Sequence, residues 1–207
     1  MMLITSDYFE LGRTPSGLLD QLVAMHAETD WASNEFARNN SDLDCATIRV
    51  PFGVRQEPYQ EVTETIQKYL DAFQPINDWL KTQYTEHTFV KCEMNHVGPK
   101  SQIGIHKDLC WFHEHSHRIH IPVVTNLKCF FVVGGRKYHF EVGKFYEINN
   151  RSFHHAENNG NAGRFHLVLD VIHNDQLEHA RENNINISMQ TVPVVNVDSY
   201  NDTGLYA

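Results

Sequence analysis

Between His106 and Asp170 the chain carries side chains able to hold a metal and an anion. His106-Lys107-Asp108 sets an imidazole and a carboxylate two residues apart, and on an extended strand such residues point the same way. In Arg118-Ile119-His120-Ile121, a period of two puts Arg118 and His120 on one face and two isoleucines on the other, a half-buried strand with a charged inner face. Ser152-Phe153-His154-His155 supplies a distant histidine, and Arg164-Phe165-His166-Leu167-Val168-Leu169-Asp170 a second strand led by an arginine. Two histidines and one carboxylate on a β scaffold suit a non-haem Fe(II) centre with three open coordination positions. Arginines nearby suit a dicarboxylate cosubstrate, because the guanidinium fork matches carboxylate geometry.

Each of these residues also has a plainer reading. His106 and Asp108 taken alone are a surface histidine and a solvated aspartate. Spacing does not choose between His154 and His155, since either can turn inward. Arg118 alone is a solvated face or a structural ion pair, and His120 alone a hydrogen-bonded core histidine. Arg164 inside an apolar strand is costly to bury unpaired, so it calls for an anionic partner, whether a ligand or a carboxylate such as Asp170. His166 shares a face with Arg164 and reads as packing or as support to the pocket. The run His113-Glu114-His115-Ser116-His117 lies in an expected loop and is given no ligand role, although His-rich tracts bind metals. Trp111 and Phe112 either cover the mouth of the site or pin that loop.

The elements that must position these groups are mainly strands. Alternation from Phe89 to Asn95, a turn at Gly98-Pro99, and strands over Ser101–Asp108, 118–124, 128–133, 136–142, Phe145–Asn149, Ser152–Ala156 and Phe165–Ile172 favour an antiparallel barrel or double-sheet jelly roll over a parallel α/β sheet. Gly134-Gly135 signals a hairpin. Residues 1–87 read as mainly helical support with a short β element. One helix starts at Thr14-Pro15-Ser16, turns Leu18, Leu19, Leu22, Val23 and Met25 inward, and ends near Thr29 to Trp31. Ala46–Val50 reads as a strand. A second helix from about Pro58 carries Val62, Ile66, Tyr69, Leu70 and Phe73 inward until Pro75 breaks or bends it, with Trp79 and Leu80 in a short segment beyond. Asn174–Ala180 reads as a short helix, and Val192–Val197 as an added strand or extended tail. The whole is one domain, with a catalytic core over 88–173 and a tail over 174–207.

Composition narrows the partners. A formal net charge of -9 without a Lys/Arg run argues against nucleic acid or an anionic membrane, leaving a small-molecule or peptide substrate. The 14 histidines concentrate between 106 and 179. Cys45, Cys92, Cys110 and Cys129 show no CxxC pairing, so reduced thiols are expected, with Cys92 and Cys129 in the core. No signal peptide or apolar run of membrane-spanning length appears, so the expected location is soluble and cytoplasmic.

Taken in order, Arg118–Val123, Tyr138-His139-Phe140 with Gly143-Lys144, Ser152–Ala156 and Arg164–Asp170 resemble the aspartyl/asparaginyl β-hydroxylase family. The resemblance covers roughly Glu93 to His173 and neither the N-terminal helices nor the tail. It implies a double-stranded β-helix (cupin-like jelly roll) and an Fe(II)- and 2-oxoglutarate-dependent dioxygenase. Such an enzyme uses O2 to hydroxylate an amino acid, either free and proline-like or an aspartyl/asparaginyl residue in a peptide, and releases succinate and CO2. It makes His106 and His155 the iron ligands, Arg164 the holder of the far carboxylate of 2-oxoglutarate, Arg118 and His120 neighbours of its chelating end, and Asn95 a support for the far carboxylate. Asp108 completes the facial triad found in members such as the proline hydroxylases and absent from the animal peptide hydroxylase. The alternatives are a cupin-like, non-oxidative metal protein, such as an isomerase or sensor, and a metal-free binding jelly roll. Arg164 argues against the non-oxidative protein, and stabilisation by added metal would argue against the metal-free one.

Overall fold

The computed structural model describes residues 3–28, 45–51, 64–108 and 110–185. Over these the chain runs β1 (Tyr8–Arg13), α1 (Leu18–Glu28), β2 (Cys45–Pro51), α2 (Glu64–Gln83), β3 (His87–Val97), β4 (Ser101–Gln102), α3 (Trp111–His115), β5 (Ser116–Val124), β6 (Cys129–Val133), β7 (Arg136–Tyr138), β8 (Lys144–Ile148), β9 (His154–Asn158), β10 (Arg164–His173) and α4 (Asn174–Glu182). The strands form two antiparallel sheets, one ordered β1-β8-β5-β10-β3-β2 and a smaller one ordered β4-β9-β6-β7. No helix among the described residues is long and apolar enough to cross a membrane.

Alternation along β10 decides the layering. Phe165, Leu167, Leu169 and Val171 join Ile119 and Ile121 of β5 and Cys92 and Met94 of β3 in one buried cluster with Leu18, Leu22 and Met25 of α1 and Phe73, Ile76 and Leu80 of α2. Withdrawing that apolar surface from water, at roughly 25 cal/mol per Å2, fixes the helices to the outside of the large sheet. The opposite face of the same strands carries Arg164, His166 and Asp170 with Arg118 and His120, all buried. It looks toward the small sheet, whose Phe131, Val133 and Ala156 meet Tyr146 and Ile148 of β8 in a second cluster. The charged groups therefore lie between the sheets. Register sets Asp170 opposite Arg118, Val168 opposite His120, and His166 opposite Asn95.

Several local expectations change. β1 pairs with β8 although its alternation is broken by a bulge between Glu10 and Gly12, which hides the pattern in the sequence. The run expected as a histidine loop carries α3, and β5 begins at Ser116. The strand expected over Ser101–Asp108 is regular only at Ser101–Gln102. α2 continues through Pro75: the lost N–H bond is outweighed by Phe73, Ile76 and Leu80, which remain buried on either side of it. Val23 is exposed, because the buried stripe of α1 follows Leu18, Leu22 and Met25. Gly134 and Gly135 both take positive φ (55° and 81°), the demand of a type I′ hairpin. Cys92 and Cys129 are buried free thiols. The first helix's end near Thr29 to Trp31, the second helix's start at Pro58 with Val62, the side chains of Ile66, Tyr69 and Leu70, and the segment Val192–Val197 lie outside the described residues.

A second polar cluster sits where α2 ends. Tyr84 Oη donates to Glu147 Oε2 (2.9 Å), and His117 Nδ1 lies 2.7 Å from Glu147 Oε1. The His117 ring centroid is 5.1 Å from that of His87, which is 4.9 Å from that of His173. Burial, and then His117 and His173, push His87 down to about 4. Both of its ring nitrogens lack a hydrogen-bond partner.

Leu167→Ala is expected to lower unfolding free energy by about 2–5 kcal/mol, read from the urea midpoint, through lost transfer energy and a cavity. His87 titrates near 6.5 when unfolded and about 4 when folded, so the unfolded chain binds more protons between these values. The His87 contribution to stability should be fully present above about pH 6.5 and be lost as pH drops toward 4, and His87→Phe should lessen the acid slope in urea titrations at several pH values.

Candidate metal centre

The histidine ligand candidates converge through backbone pairing. His106 N–H donates to the His154 carbonyl (3.0 Å) and His154 N–H to the His106 carbonyl (2.9 Å), an isolated antiparallel bridge outside the regular strands. Directly opposed residues of such a pair share a face. Their rings stand 4.3 Å apart, centroid to centroid. Ile103 N–H to the Ala156 carbonyl and Asp108 N–H to the Asn150 carbonyl continue the alignment, and Asp108, two residues on, turns to the same side.

Three groups, His106, Asp108 and His154, offer ligand atoms all within 4.8 Å of one another. His106 Nδ1 is 2.8 Å from the Gly104 carbonyl and His154 Nδ1 is 2.9 Å from the Ser152 carbonyl. A carbonyl only accepts, so each Nδ1 carries the proton and each Nε2 keeps its lone pair, facing Asp108 at 3.8 and 3.7 Å. Burial, and then His106, push His154 down to about 4, so it is neutral at pH 7. Burial works to raise the Asp108 carboxyl, but Arg118, His154, His113 and His106 hold it well below the usual range.

The structure brings His154, and not His155, the expected distal ligand, beside His106 and Asp108. On β9, His154 and Ala156 share the inner face, and His155 and Glu157 the outer one, where His155 Nε2 lies 3.0 Å from Glu157 Oε1. Glu157 also pairs with Lys137. The signal was present in the sequence: Ala156 and Glu157 extend the alternation, and the carboxylate marks the solvent side.

Arg118, expected near the chelating end of the cosubstrate, lies against Asp108. Its Nε and Nη2 donate to Asp170 (2.9 and 3.0 Å), Nη2 donates to His113 Nε2 (2.8 Å), and Nη1 lies 2.9 Å from Asp108 Oδ2. Nε and both hydrogens of Nη2 are thus committed to the protein. The Nη1 contact with Oδ2 is an ion pair without hydrogen-bond alignment, and buried Oδ2 has no hydrogen-bond partner. His113 passes its own Nδ1–H to Cys110 Sγ (3.2 Å), and its carbonyl accepts from Asn150 Nδ2. The sequence gives no sign of the His113 contact, and it leaves Asp170 as one possible partner of Arg164. Strand register, which sets Asp170 against Arg118, is what decides.

Arg164 is buried on the inner face. Nη2 lies 2.7 Å from His166 Nδ1, and Cζ lies 6.0 Å over the Phe131 ring. Phe131 stacks on His154 (5.8 Å, 21°) and meets His120 edge-on at 4.9 Å, so one ring links Arg164 to the metal-ligand candidates. Burial, and then Arg164, Arg118 and His154, push His120 well below its ordinary range, and its Nδ1 is buried without a hydrogen-bond partner. Asn95 lies on β3 opposite His166.

The donor set fits a divalent cation. Two oriented imidazole lone pairs and one carboxylate form a two-histidine, one-carboxylate face that suits Fe(II). Asp108 Oδ2 is buried without a hydrogen-bond donor. Asp108, Asp170 and Glu93 act on the Arg118 guanidinium, so negative charge is in excess around it.

The aspartyl/asparaginyl β-hydroxylase family model matches residues 20–174. The match begins far ahead of Glu93 and takes in the N-terminal helices that the motif resemblance left uncovered. No curated protein matches the sequence. A 2OG-Fe(II) oxygenase family oxidoreductase from Burkholderia pseudomallei has a similar structure (16% identity, 80% of this chain and 84% of that one, TM-score 0.58). So does a prolyl hydroxylase from Trichoplax adhaerens in complex with a hypoxia inducible factor peptide fragment (11%, 85% and 88%, 0.56). HygX from Streptomyces hygroscopicus, with nickel, 2-oxoglutarate and hygromycin B bound, is a third (8%, 82% and 84%, 0.53). The shared fold is the double-stranded β-helix.

Asp170→Asn breaks the two-point buried ion pair with Arg118 Nε and Nη2 and should lower unfolding free energy by about 3–5 kcal/mol in urea titration. A loss below about 1 kcal/mol, the size of an exposed pair, would mean that Asp170 does not hold Arg118.

Proposed function

The chain belongs to the aspartyl/asparaginyl β-hydroxylase family and is an Fe(II)- and 2-oxoglutarate-dependent hydroxylating dioxygenase; from that premise we propose that His106, Asp108 and His154 hold the iron and that an amino acid, free or within a peptide, is the substrate. The observation that carries the ligand assignment is the pair of tautomer-fixed Nε2 atoms facing Asp108 across the His106–His154 bridge. The chemistry supplied by bound iron and cosubstrate is oxidative decarboxylation of 2-oxoglutarate to succinate and CO2, coupled to hydroxylation of a C–H bond with O2.

The protein's part is to place and shield. Arg164 takes the far carboxylate of 2-oxoglutarate: a guanidinium only donates, and this one is desolvated beside His120 and His166, whose burial keeps them neutral. Asn95 supports the same end. His120 lines the wall between Arg164 and the ligands. Arg118 acts through Asp108, fixing the carboxylate while Asp170 and His113 fix Arg118. Phe131, Phe140, Tyr146 and Ile148 close the space between the sheets and exclude water. Support for the substrate class is the family's description, together with a fold relative that binds a peptide and another that binds a small molecule.

Anaerobic Fe(II) or Mn(II) should raise the melting temperature of the wild type and of His155→Ala, and leave His154→Ala and His106→Ala unmoved. The reverse pattern for His154 and His155 would refute the ligand assignment. Succinate release should be stimulated by a member of a panel of free amino acids and short peptides and be lost in Asp108→Ala; no stimulation by any member would refute the substrate class.

A further inference from the structure

We propose that His166 is a cosubstrate-positioning residue, holding the Arg164 guanidinium in the orientation that presents it to the far carboxylate of 2-oxoglutarate; this rests on the role of Arg164 given above. Both residues are 2% exposed and, two apart on β10, share the inner face. Nη2 of Arg164 reaches Nδ1 of His166 at 2.7 Å. Because arginine has only donors, Nδ1 must supply the lone pair and the proton must sit on Nε2, so the ring is neutral. Burial, and then Arg164, His120 and His139, push this imidazole well below its ordinary range, which preserves the acceptor at neutral pH.

The choice of histidine has a physical consequence. A carboxylate in its place would form an ion pair with Arg164 and compete with the anionic ligand, whereas a neutral acceptor orients the fork without adding a negative charge. The Phe131 ring lies 6.0 Å from Cζ of the same guanidinium, within cation–π range. One edge of the fork is thus held before a ligand arrives, and the flexible arginine side chain loses less freedom on binding. In the sequence, His166 reads as packing, since nothing in the spacing shows that its Nδ1 meets Arg164.

The test compares 2-oxoglutarate with 2-oxobutyrate, which keeps the chelating end and lacks the far carboxylate, by anaerobic calorimetry on the Mn(II)-loaded protein. His166→Leu is expected to weaken 2-oxoglutarate binding roughly 10- to 100-fold, the worth of a hydrogen bond to a charged group, and to leave 2-oxobutyrate unchanged. His166→Asn, whose amide oxygen takes the place of Nδ1, should recover most of the loss. In the Arg164→Ala background His166→Leu should add nothing. Equal weakening of both ligands by His166→Leu, or a full additive loss in the double variant, would overturn the proposal while Arg164→Ala still discriminates the ligands. If Arg164→Ala itself fails to discriminate them, the reading of Arg164 falls as well. Should His166→Leu not fold, His166→Phe, planar and without an acceptor, carries the same comparison.

Discussion

The burial of one guanidinium, that of Arg118, is the constraint on which the interior depends. A buried ion costs several kcal/mol unless its partners are well placed, and Arg118 meets that condition with groups from separate parts of the chain. Asp170 comes from the neighbouring strand β10, Asp108 from the segment after β4, and His113 from α3. The ion pairs therefore tie together the strand that layers the fold, the segment that carries two of the three proposed ligands, and the short helix between them. Asp108 takes its position from this network, and the proposed metal-binding face takes its position from Asp108.

The inner face is polar because its strands alternate, and alternation was the part of the fold most open to reading in the sequence. Arg118-Ile119-His120-Ile121 and Arg164 to Asp170 declared their two faces directly, and Gly134-Gly135 its turn. What escaped had local causes. β1 is bulged, so its period is broken. His106 and Asp108 do share a face, but through an isolated bridge, with no continuous strand. His154 and His155 are equivalent until Glu157 is counted as the outward member of the same strand. The partner of Asp170 was out of reach because register between distant strands is a tertiary property, and His113 was read as loop because a single helical turn leaves no periodicity.

The histidine content acquires a different meaning in three dimensions. Of the 14, His113, His117, His120, His154, His155 and His166 are buried, and only His154 of these faces the Asp108 carboxylate with His106. Among the others, His113 and His166 each take their tautomer from a guanidinium, and His117 meets a carboxylate. Burial keeps His120 and His166 neutral, which suits an interior that already holds the charges of Arg118, Arg164, Asp108 and Asp170. A lysine or glutamate at these places would bring a further charge to be balanced.

The reciprocal backbone bonds between His106 and His154 carry a last consequence. In an unfolded chain the two imidazoles belong to remote points of a flexible polymer and offer no chelate. As the proposed ligand pair they become a bidentate clamp only when the 101–108 segment lies down on β9, so uptake of the ion would report that this segment has joined the small sheet.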